Sequence, residues 1–395
     1  PFYAMELAKA AAEMAAARAP DQRPMIYLNI GEPDFTAPPL VQAAAERAIQ
    51  NGCSQYTQAT GLPALRQAIS GWYAQRFGLD IDPARIVITA GASAALQLAC
   101  LALIEAGDEV LMPDPSYPCN RQFVQAAEGR AVMLPSGPAQ RFQLSAAQVE
   151  AAWRPATRGV LLASPSNPTG TSLAREELER IARMVRERGG VTMIDEIYLG
   201  LSYEAEYGHS ALGLPDGLGE EVISINSFSK YFNMTGWRLG WLVLPPALVP
   251  VVERLAQNLF ICASTIAQHA ALACFEPESL AQYERRRAEF KARRDYFIPE
   301  LNRLGLTVPV MPDGALYAWA DVRGLCERWG IAPAGAQPDQ GGSWALAFEL
   351  MQRCQLATTP GRDFGFAAPG HYLRFSTASS MAQLREAVQR LEQAI

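Results

Sequence analysis

The chain has 395 residues, of which 49% are hydrophobic and 19% are charged. This composition is typical of a globular protein with one large or two smaller domains, and it excludes a disordered or collagen-like chain. The 34 Lys and Arg residues against 40 Asp and Glu give a net charge of −6. Because the nucleic-acid backbone selects basic surfaces, no nucleic-acid partner is predicted.

The positions of the cysteines and histidines narrow the class of protein further. The seven cysteines are scattered and include no Cys-x-x-Cys pair, which predicts free thiols in a reducing compartment rather than a disulfide framework. The three histidines lack metal-ligand spacing, so no metal site is predicted. Without a membrane-length apolar stretch or a basic-then-apolar leader, we expect a cytoplasmic protein with no membrane partner.

The N-terminal part of the chain predicts helices around one extended segment. Good helix formers dominate residues 5–18. The run IYLNIGEPDF (26–35) is apolar and ends in Gly-Glu-Pro-Asp, which predicts an extended segment that leads into a turn. A helical pattern continues from 39 to about 77 and is interrupted at 51–63.

The middle of the chain alternates short β-branched runs with helical patterns, for example at 92–106 and 174–188. Strands that are apolar throughout and separated by helices indicate a mostly parallel sheet covered on both faces. We therefore predict an α/β fold whose large domain holds a mostly parallel seven-stranded sheet flanked by helices. The predicted strands are 85–89, 109–113, 131–135, 159–163, 191–195, 222–227 and 239–244.

A smaller α+β domain, built from both chain ends, is predicted beside the large one. A long charged amphipathic helix at 278–304 is of the kind that bridges domains. The boundaries expected are 48–282 for the large domain and 1–47 with 283–395 for the small one. The Gly-, Pro- and Gln-rich segment 332–342 predicts a mobile loop. The small domain's C-terminal pieces are LTVPVMP, GALYAWADV, a helix at 343–355 and HYLRFST.

The richest motif is NSFSKYFNMTGWRLGW (226–241). Lys230 follows a short strand and two serines, where a lysine can form a Schiff base with a carbonyl cofactor. Arg238 lies beside Gly236 and Gly240, which let its guanidinium approach a phosphate. A plain surface lysine after a strand is the alternative for Lys230.

Two further motifs follow apolar strands, where open α/β sheets place ligand groups. SPSNPTG (164–170) carries Asn167, and MIDEIYLG (193–200) carries Asp195. An aspartate buried at a strand end needs a cationic neighbour, because an unpartnered buried carboxylate is costly. The alternatives are a simple turn residue for Asn167 and a helix-start charge for Asp195.

A third signal is ITAGASAAL (88–96), in which a strand passes through Gly-Ala-Ser into a helix. The free N–H groups at such a helix start bind anions. The run matches neither the dinucleotide-binding nor the P-loop pattern, so alone it indicates only an anion site.

Taken together and in this order, from NIGEPDF to YLRFSTASS, the motifs resemble the class I/II aminotransferases of the fold-type-I pyridoxal 5′-phosphate family. The resemblance implies pyridoxal 5′-phosphate as cofactor. It also implies an enzyme that moves the α-amino group of an L-amino acid to a 2-oxo acid by a ping-pong mechanism.

The resemblance assigns five residues to the cofactor ring and its anchors. Lys230 is similar to the lysine that forms the Schiff base, and Arg238 to the arginine on the phosphate. Asp195 is similar to the aspartate that faces the pyridine nitrogen. Tyr198 and Asn167 resemble the pair on the ring 3-oxygen. Lys230, Asp195 and Tyr198 are the catalytic residues that this implies.

The remaining cofactor contacts are implied in the same way. Tyr117, in DPSYP, resembles the aromatic residue that stacks on the ring. Four small residues resemble the cup that holds the phosphate, and these are Ala92, Ser93, Ser227 and Ser229.

On the substrate side, Arg374 in YLRFS resembles the arginine that binds the α-carboxylate. Gly31 and Asn167 are expected to line the same side, and the small apolar residues around Gly31 suit neutral amino acids. Tyr56, in YTQATGLPALR, resembles the tyrosine that reaches the partner subunit's phosphate, which implies a homodimer with shared sites.

Some alternatives stay open at this point. A C–S β-lyase acting on cysteine-type substrates would use the same cofactor, since function resides in the site rather than the fold. A non-catalytic regulatory module is a further alternative, which would require an attached DNA-binding unit. A second arginine for an acidic side chain is sought among Arg121, Arg141 and Arg362, although a solvated surface position is expected for each.

Overall fold

The computed structural model describes residues 2–19, 22–335 and 341–395. The centre of the predicted mobile loop, 336–340, lies outside these residues. The strands, in chain order, are β1 Ile26–Tyr27, β2 Ile86–Thr89, β3 Glu109–Asp114, β4 Arg130–Pro135, β5 Thr157–Ala163, β6 Val191–Asp195, β7 Ile223–Ser227, β8 Gly240–Val243, β9 Tyr317–Asp321, β10 Leu356–Ala357, β11 Thr359–Pro360 and β12 Tyr372–Ser376.

The helices follow the predicted patterns closely. In chain order they are α1 Tyr3–Ala16, α2 Pro39–Gln50, α3 Pro63–Phe77, α4 Gly91–Leu103, α5 Pro118–Ala126, α6 Ala146–Ala152, α7 Arg175–Glu187, α8 Leu218–Glu221, α9 Val249–Leu259, α10 Thr265–Ala271, α11 Pro277–Arg303, α12 Arg323–Arg328, α13 Gly342–Cys354 and α14 Met381–Ala394. Among the described residues, no helix combines the length and apolar composition that a membrane span needs.

A seven-stranded sheet forms the centre of the large domain, in the order β2-β8-β7-β6-β5-β3-β4. The strands from β7 to β4 pair in parallel, while β8 is antiparallel to both of its neighbours. All seven predicted strands are present, so the mostly parallel sheet is confirmed.

Helices cover both faces of this sheet. Successive side chains of a strand point to opposite faces, and β5 shows the consequence. Val160 and Leu162 pack into one apolar cluster, whereas Leu161 packs into the cluster on the other face. A sheet buried on both faces explains why its strands are apolar throughout.

The smaller domain is built from both chain ends, as predicted. Its three-stranded antiparallel sheet has the order β11-β12-β9, and β1 pairs with β10. Its core takes Leu7 from α1 and Leu350 from α13. Helix α11 joins the two cores, because Phe290 packs in the large one and Phe297 in the small one. The exact boundaries at 47/48 and 282/283 stay a prediction.

Two segments form less regular structure than their apolar sequences suggest. LTVPVMP (306–312) contributes one isolated bridge, between Thr307 and Asp321. Pro309 and Pro312 interrupt it, and proline cannot donate to a strand ladder. In the segment 26–35, only the two residues of β1 form a strand, and Phe35 at the far end packs against the core of the large domain.

Candidate active site

A cavity of about 560 Å³ lies where the carboxyl ends of the large sheet face the small domain. Open α/β sheets place their ligand sites at this edge. All but one of the predicted site residues line it. Those that do are Gly31, Ala92, Ser93, Tyr117, Asn167, Asp195, Tyr198, Ser227, Ser229, Lys230, Arg238 and Arg374.

One end of the cavity is suited to an anion. Helix α4 begins at Gly91, so the first N–H groups of Ala92 and Ser93 have no helical partner. Arg238 lies beside them in the left-handed region, with φ 51°, and its Nη1 donates to the Thr235 carbonyl at 2.9 Å. Guanidinium and helix start therefore converge on one place.

Two serines belong to the same end. Ser227 is the last residue of β7, and its hydroxyl accepts a hydrogen bond from the Ser229 backbone N–H at 2.9 Å. This local bond fixes the turn that leads into Lys230. Both serines are buried and line the cavity.

Asp195 ends β6 in the middle of the cavity, and it is only 5% exposed. Its Oδ1 accepts a hydrogen bond from the Ile197 backbone N–H at 3.1 Å. Burial raises the pKa of Asp195 to about 7, with that hydrogen bond and the charge of Lys230 acting in the opposite direction. A carboxylate held in this way gains from any cation placed in the cavity beside it.

Lys230 and Tyr198 complete the central part. The Lys230 Nζ donates to the Gly31 carbonyl and lies 5.6 Å from the centre of the Tyr198 ring. Burial raises the pKa of Tyr198 well above its usual value. Tyr117 and Asn167 line the cavity and are half-buried. The central residues therefore combine a lysine, a buried carboxylate and a phenol within one space.

Arg374 lies at the opposite end, in strand β12, and is buried. Its Nη1 donates to the Asn167 side-chain oxygen and its Nη2 to the Asn29 carbonyl, both at 2.9 Å. Its Nε has no partner among the described residues, which leaves a buried donor for an incoming carboxylate.

Tyr56 is the predicted site residue that does not line the cavity. It lies between α2 and α3, and 79% of its surface is exposed. Within one chain the structure therefore does not bring it to the other site residues.

The family model for aminotransferase class I and II matches residues 23–391. This chain belongs to that family. A valine–pyruvate aminotransferase from Mycobacterium tuberculosis is 36% identical over 391 residues, or 99% of this chain and 95% of that protein. A crystal structure of an aminotransferase from Mycobacterium tuberculosis matches with a TM-score of 0.90 and 35% identity, covering 100% of this chain and 96% of the other. A single mutant of Thermus thermophilus aspartate aminotransferase matches with 0.88 and 31%, covering 100% and 97%.

These matches confirm the prediction of an aminotransferase that depends on pyridoxal 5′-phosphate. The cavity fits this cofactor. A Cβ on Gly91 would lie 2.6 Å from Arg238 Nη2, so glycine keeps the phosphate end open. The buried carboxylate of Asp195 suits the protonated nitrogen of a pyridine ring.

Tyr317 was not among the predicted site residues, although it is buried at the start of β9 and lines the cavity of the aminotransferase. Its hydroxyl lies 2.5 Å from that of Tyr198, and its ring lies 4.4 Å from the Arg374 guanidinium carbon. No local pattern marked it, because an aromatic residue at the start of a strand is usual in a sheet core. Four residues near the N-terminus also line the cavity and were not predicted, and these are Phe2, Ala4, Met5 and Ala8.

None of the three candidate second arginines lines the cavity of the aminotransferase. Each keeps part of its surface exposed and also has a defined partner. Arg141 pairs with the buried Asp313 at 2.6 Å. Arg121 lies 5.2 Å from the centre of the Phe366 ring, and Arg362 lies 3.3 Å from the centre of the Tyr3 ring. All three are half-buried.

Proposed function

We propose that Lys230, Asp195 and Arg374 perform transamination of a neutral L-amino acid in this cavity. The observation that carries the proposal is that these three residues line the same 560 Å³ space, although they come from three different strands or strand ends. Bound pyridoxal 5′-phosphate supplies a carbonyl that condenses with amines and a ring that withdraws electrons from the substrate α-carbon.

With the cofactor bound, Lys230 would be its covalent anchor, and its Nζ would carry the proton that leaves the substrate α-carbon. Asp195 holds the ring nitrogen in its protonated form, because a buried carboxylate is stabilised by the adjacent cation. Tyr198 and Asn167 hydrogen-bond the ring oxygen. Arg238 would hold the phosphate together with Ala92 and Ser93 at the start of α4 and Ser227 and Ser229 at and just after the end of β7, and Tyr117 would stack on the ring.

Arg374 binds the α-carboxylate shared by the amino donor and the 2-oxo acid acceptor. A guanidinium suits this task because its planar fork matches a carboxylate. One carboxylate site serving both partners in turn requires that the first product leave before the acceptor binds. The expected kinetics are therefore ping-pong.

The preference for neutral side chains rests on the charges of the cavity. Within the described part of the chain, the cationic lining residues are Lys230, Arg238 and Arg374, and each already has a role. The lining near Gly31 includes the apolar side chains of Ile30, Phe2 and Met5. The similarity to a valine–pyruvate aminotransferase supports the same preference.

A panel of amino donors tests this proposal, with pyruvate and 2-oxoglutarate as acceptors. Valine, leucine and alanine are expected to give kcat/KM values at least tenfold above that of aspartate. Parallel lines in double-reciprocal plots are expected for each active pair. A preference for aspartate would contradict the proposal. So would the formation of ammonia and pyruvate as products in place of a new amino acid.

We further propose a homodimer in which Tyr56 reaches the partner subunit's phosphate site. Tyr56 is exposed in the single chain, and two other large apolar residues are exposed near it, Leu259 and Ile261, each at 49%. The Thr265 hydroxyl donates to the Gln55 carbonyl at 2.7 Å, which brings the two segments together. An apolar patch of this kind is typical of a surface that another subunit covers.

Hybrid dimers test the shared site directly. A dimer of one Tyr56→Phe subunit and one Lys230→Ala subunit keeps one complete site if Tyr56 acts across the interface, and none if it acts within its own chain. Activity at limiting cofactor is expected to reach about half that of wild type in the hybrid. Activity of only about half that of the Tyr56→Phe homodimer, which has two sites with Lys230, would overturn the shared site, and a monomer in sedimentation would overturn the dimer.

A cytoplasmic location completes the proposal. All seven cysteines are free in the structure, which suits a reducing compartment. Fractionation of cells that produce the protein is expected to place it with cytoplasmic markers, and recovery with an oxidising compartment would contradict this.

A further inference from the structure

Tyr317 lies between the two ends of the cavity. It opens strand β9, which pairs antiparallel with β12 so that Arg374 is opposite Trp319. Tyr317 is therefore the diagonal neighbour of Arg374, within reach of an aromatic side chain. The centre of its ring is 4.4 Å from the Arg374 guanidinium carbon, a distance at which cation and ring attract.

The other end of the Tyr317 side chain contacts Tyr198. The two hydroxyl oxygens are 2.5 Å apart, and both residues are no more than 2% exposed. The charged or titratable groups that influence the pKa of Tyr198 are Tyr317, Arg374 and Asp195. Lys230 lies over the Tyr198 ring. Tyr317 alone in this set contacts both Tyr198 and Arg374.

The backbone of residues 29–31 supports this arrangement. A Cβ at Gly31 would overlap the Tyr317 hydroxyl, so glycine lets the chain pass close to it. In the same segment the Asn29 carbonyl accepts from Arg374 and the Gly31 carbonyl accepts from Lys230. The Tyr317 hydroxyl is thus enclosed by groups that themselves hold the substrate and cofactor ends.

We propose that Tyr317 is a positioning residue that couples the carboxylate site at Arg374 to the phenol of Tyr198. The inference rests on the functions proposed for those two residues. The Tyr317 hydroxyl donates to the Tyr198 oxygen, which strengthens Tyr198 as a donor to the ring oxygen because hydrogen bonds in a chain polarise one another. The ring of Tyr317 holds the Arg374 guanidinium in the orientation that receives the carboxylate.

The hydroxyl and the ring are tested separately. Tyr317→Phe removes only the hydroxyl and weakens Tyr198 as a donor, so the proton on Lys230 Nζ is held more firmly. The pH midpoint of the visible cofactor absorbance is expected to rise by about 0.3 to 1 pH unit, which corresponds to one hydrogen bond. The KM for the amino donor is expected to stay within about twofold. Tyr317→Leu also removes the ring, and KM is expected to rise about tenfold, the equivalent of one cation–π contact.

A double-mutant cycle separates this inference from the proposed function. Tyr198→Phe is expected to raise the midpoint more than Tyr317→Phe does, and the double variant is expected to match Tyr198→Phe alone. If Tyr198→Phe shifts the midpoint and Tyr317→Phe does not, the coupling is wrong while the role of Tyr198 stands. If neither shifts it, the role of Tyr198 is wrong as well.

Tyr283→Phe is the matched control. Tyr283 is equally buried, but its hydroxyl donates to the Cys274 thiol, outside the cavity. This variant is expected to leave the midpoint and KM unchanged. A shift of the same size in Tyr283→Phe would show that loss of any buried phenol moves the midpoint, and it would overturn the specific role of Tyr317.

Discussion

The cofactor end and the substrate end of the cavity are built in different ways. The cofactor end comes from strand ends at one edge of the large sheet, with Asp195 closing β6, Ser227 closing β7 and the start of α4 following β2. The substrate end comes from segments far apart in sequence, with Asn29, Asn167 and Arg374 joined by hydrogen bonds. Only the cofactor end is built from a single regular element, the large sheet.

This difference predicts which variants affect the cofactor absorbance and which affect only the rate. In the proposed roles, residues at the strand ends hold a cofactor that every substrate shares, so changing them is expected to alter the cofactor absorbance and the rate together. Arg374, at the substrate end, touches only the bound acid in its proposed role, so changing it is expected to alter the rate and leave the absorbance intact. Four experiments test this division.

Lys230→Ala gives the largest expected effect, complete loss of transamination together with the characteristic visible absorbance. Both are lost because one side chain is the covalent anchor and the proton carrier. Absorbance spectra and single-turnover rates measure the two properties. Lys291→Ala, on the exposed face of α11, is the control and is expected to behave as wild type. Turnover near the wild-type rate in Lys230→Ala would sink the assignment.

Asp195→Asn is expected to slow the half-reaction by about 10²- to 10³-fold, because a neutral partner no longer holds the ring proton. The cofactor is expected to remain bound, with a changed absorbance. Stopped-flow spectra of the half-reaction check this, with the exposed Asp216→Asn as control. An unchanged rate with weaker cofactor binding would make Asp195 a structural residue.

The apoenzyme carries a pH-dependent stability term from the same carboxyl. The pKa of Asp195 is about 7 in the fold, above the usual 3.8, so the folded state holds this proton more tightly. The stabilisation that this tighter proton binding gives to the folded state is complete below about pH 4 and is lost as the pH rises to about 7. Relative to wild type, apo Asp195→Asn is expected to gain up to about 4 kcal/mol above pH 7 and little near pH 4.

Urea unfolding of the two cofactor-free proteins across pH 4 to 8 measures this difference. Comparing the variant with wild type removes the contribution of other buried acids such as Glu196, whose pKa burial also raises. Parallel stability profiles would mean that Asp195 stays ionised in the fold, and the need for a cationic ring beside it would disappear.

Arg374→Lys tests the substrate end, since it keeps the charge and removes the fork. The expected loss is about 2–4 kcal/mol of transition-state stabilisation, roughly 30- to 1000-fold in kcat/KM. The loss should be similar for every amino acid, because all share the α-carboxylate, and the cofactor absorbance should barely change. Arg353→Lys, at the exposed end of α13, is the control. A loss confined to acidic substrates would mean that Arg374 reads the side chain instead.

The sequence predicted the cofactor end well for a physical reason. Each motif there joins an apolar run to a few polar residues, and the carboxyl ends of parallel strands must meet at one edge of the sheet. Local order therefore carries three-dimensional information: it predicted a ligand-bearing strand end at Asp195 and an anion site near Ser93, whereas the role of Ser227 and the cofactor roles of all three came from the resemblance. The roles of Asn167 and Arg374 came from resemblance, because neither sits in a pattern that dictates its partner.

Tyr317 shows where sequence reasoning ends. An aromatic residue at the start of a strand is usual in a β-sheet core, and nothing in GALYAWADV separates it from Trp319 two residues later. Its contacts with Tyr198 and Arg374 depend on how β9 pairs with β12 and on how the small domain meets the large one.

The sequence by itself determined the helices, the seven apolar strands and the chemistry at their ends, because periodicity and burial act on neighbouring residues. Only the tertiary structure decided that β8 lies antiparallel between β2 and β7. It alone also placed Arg141 on a buried aspartate and joined Tyr317 to both ends of the cavity. These features arise from contacts between segments far apart in the chain, and no local pattern encodes such a contact.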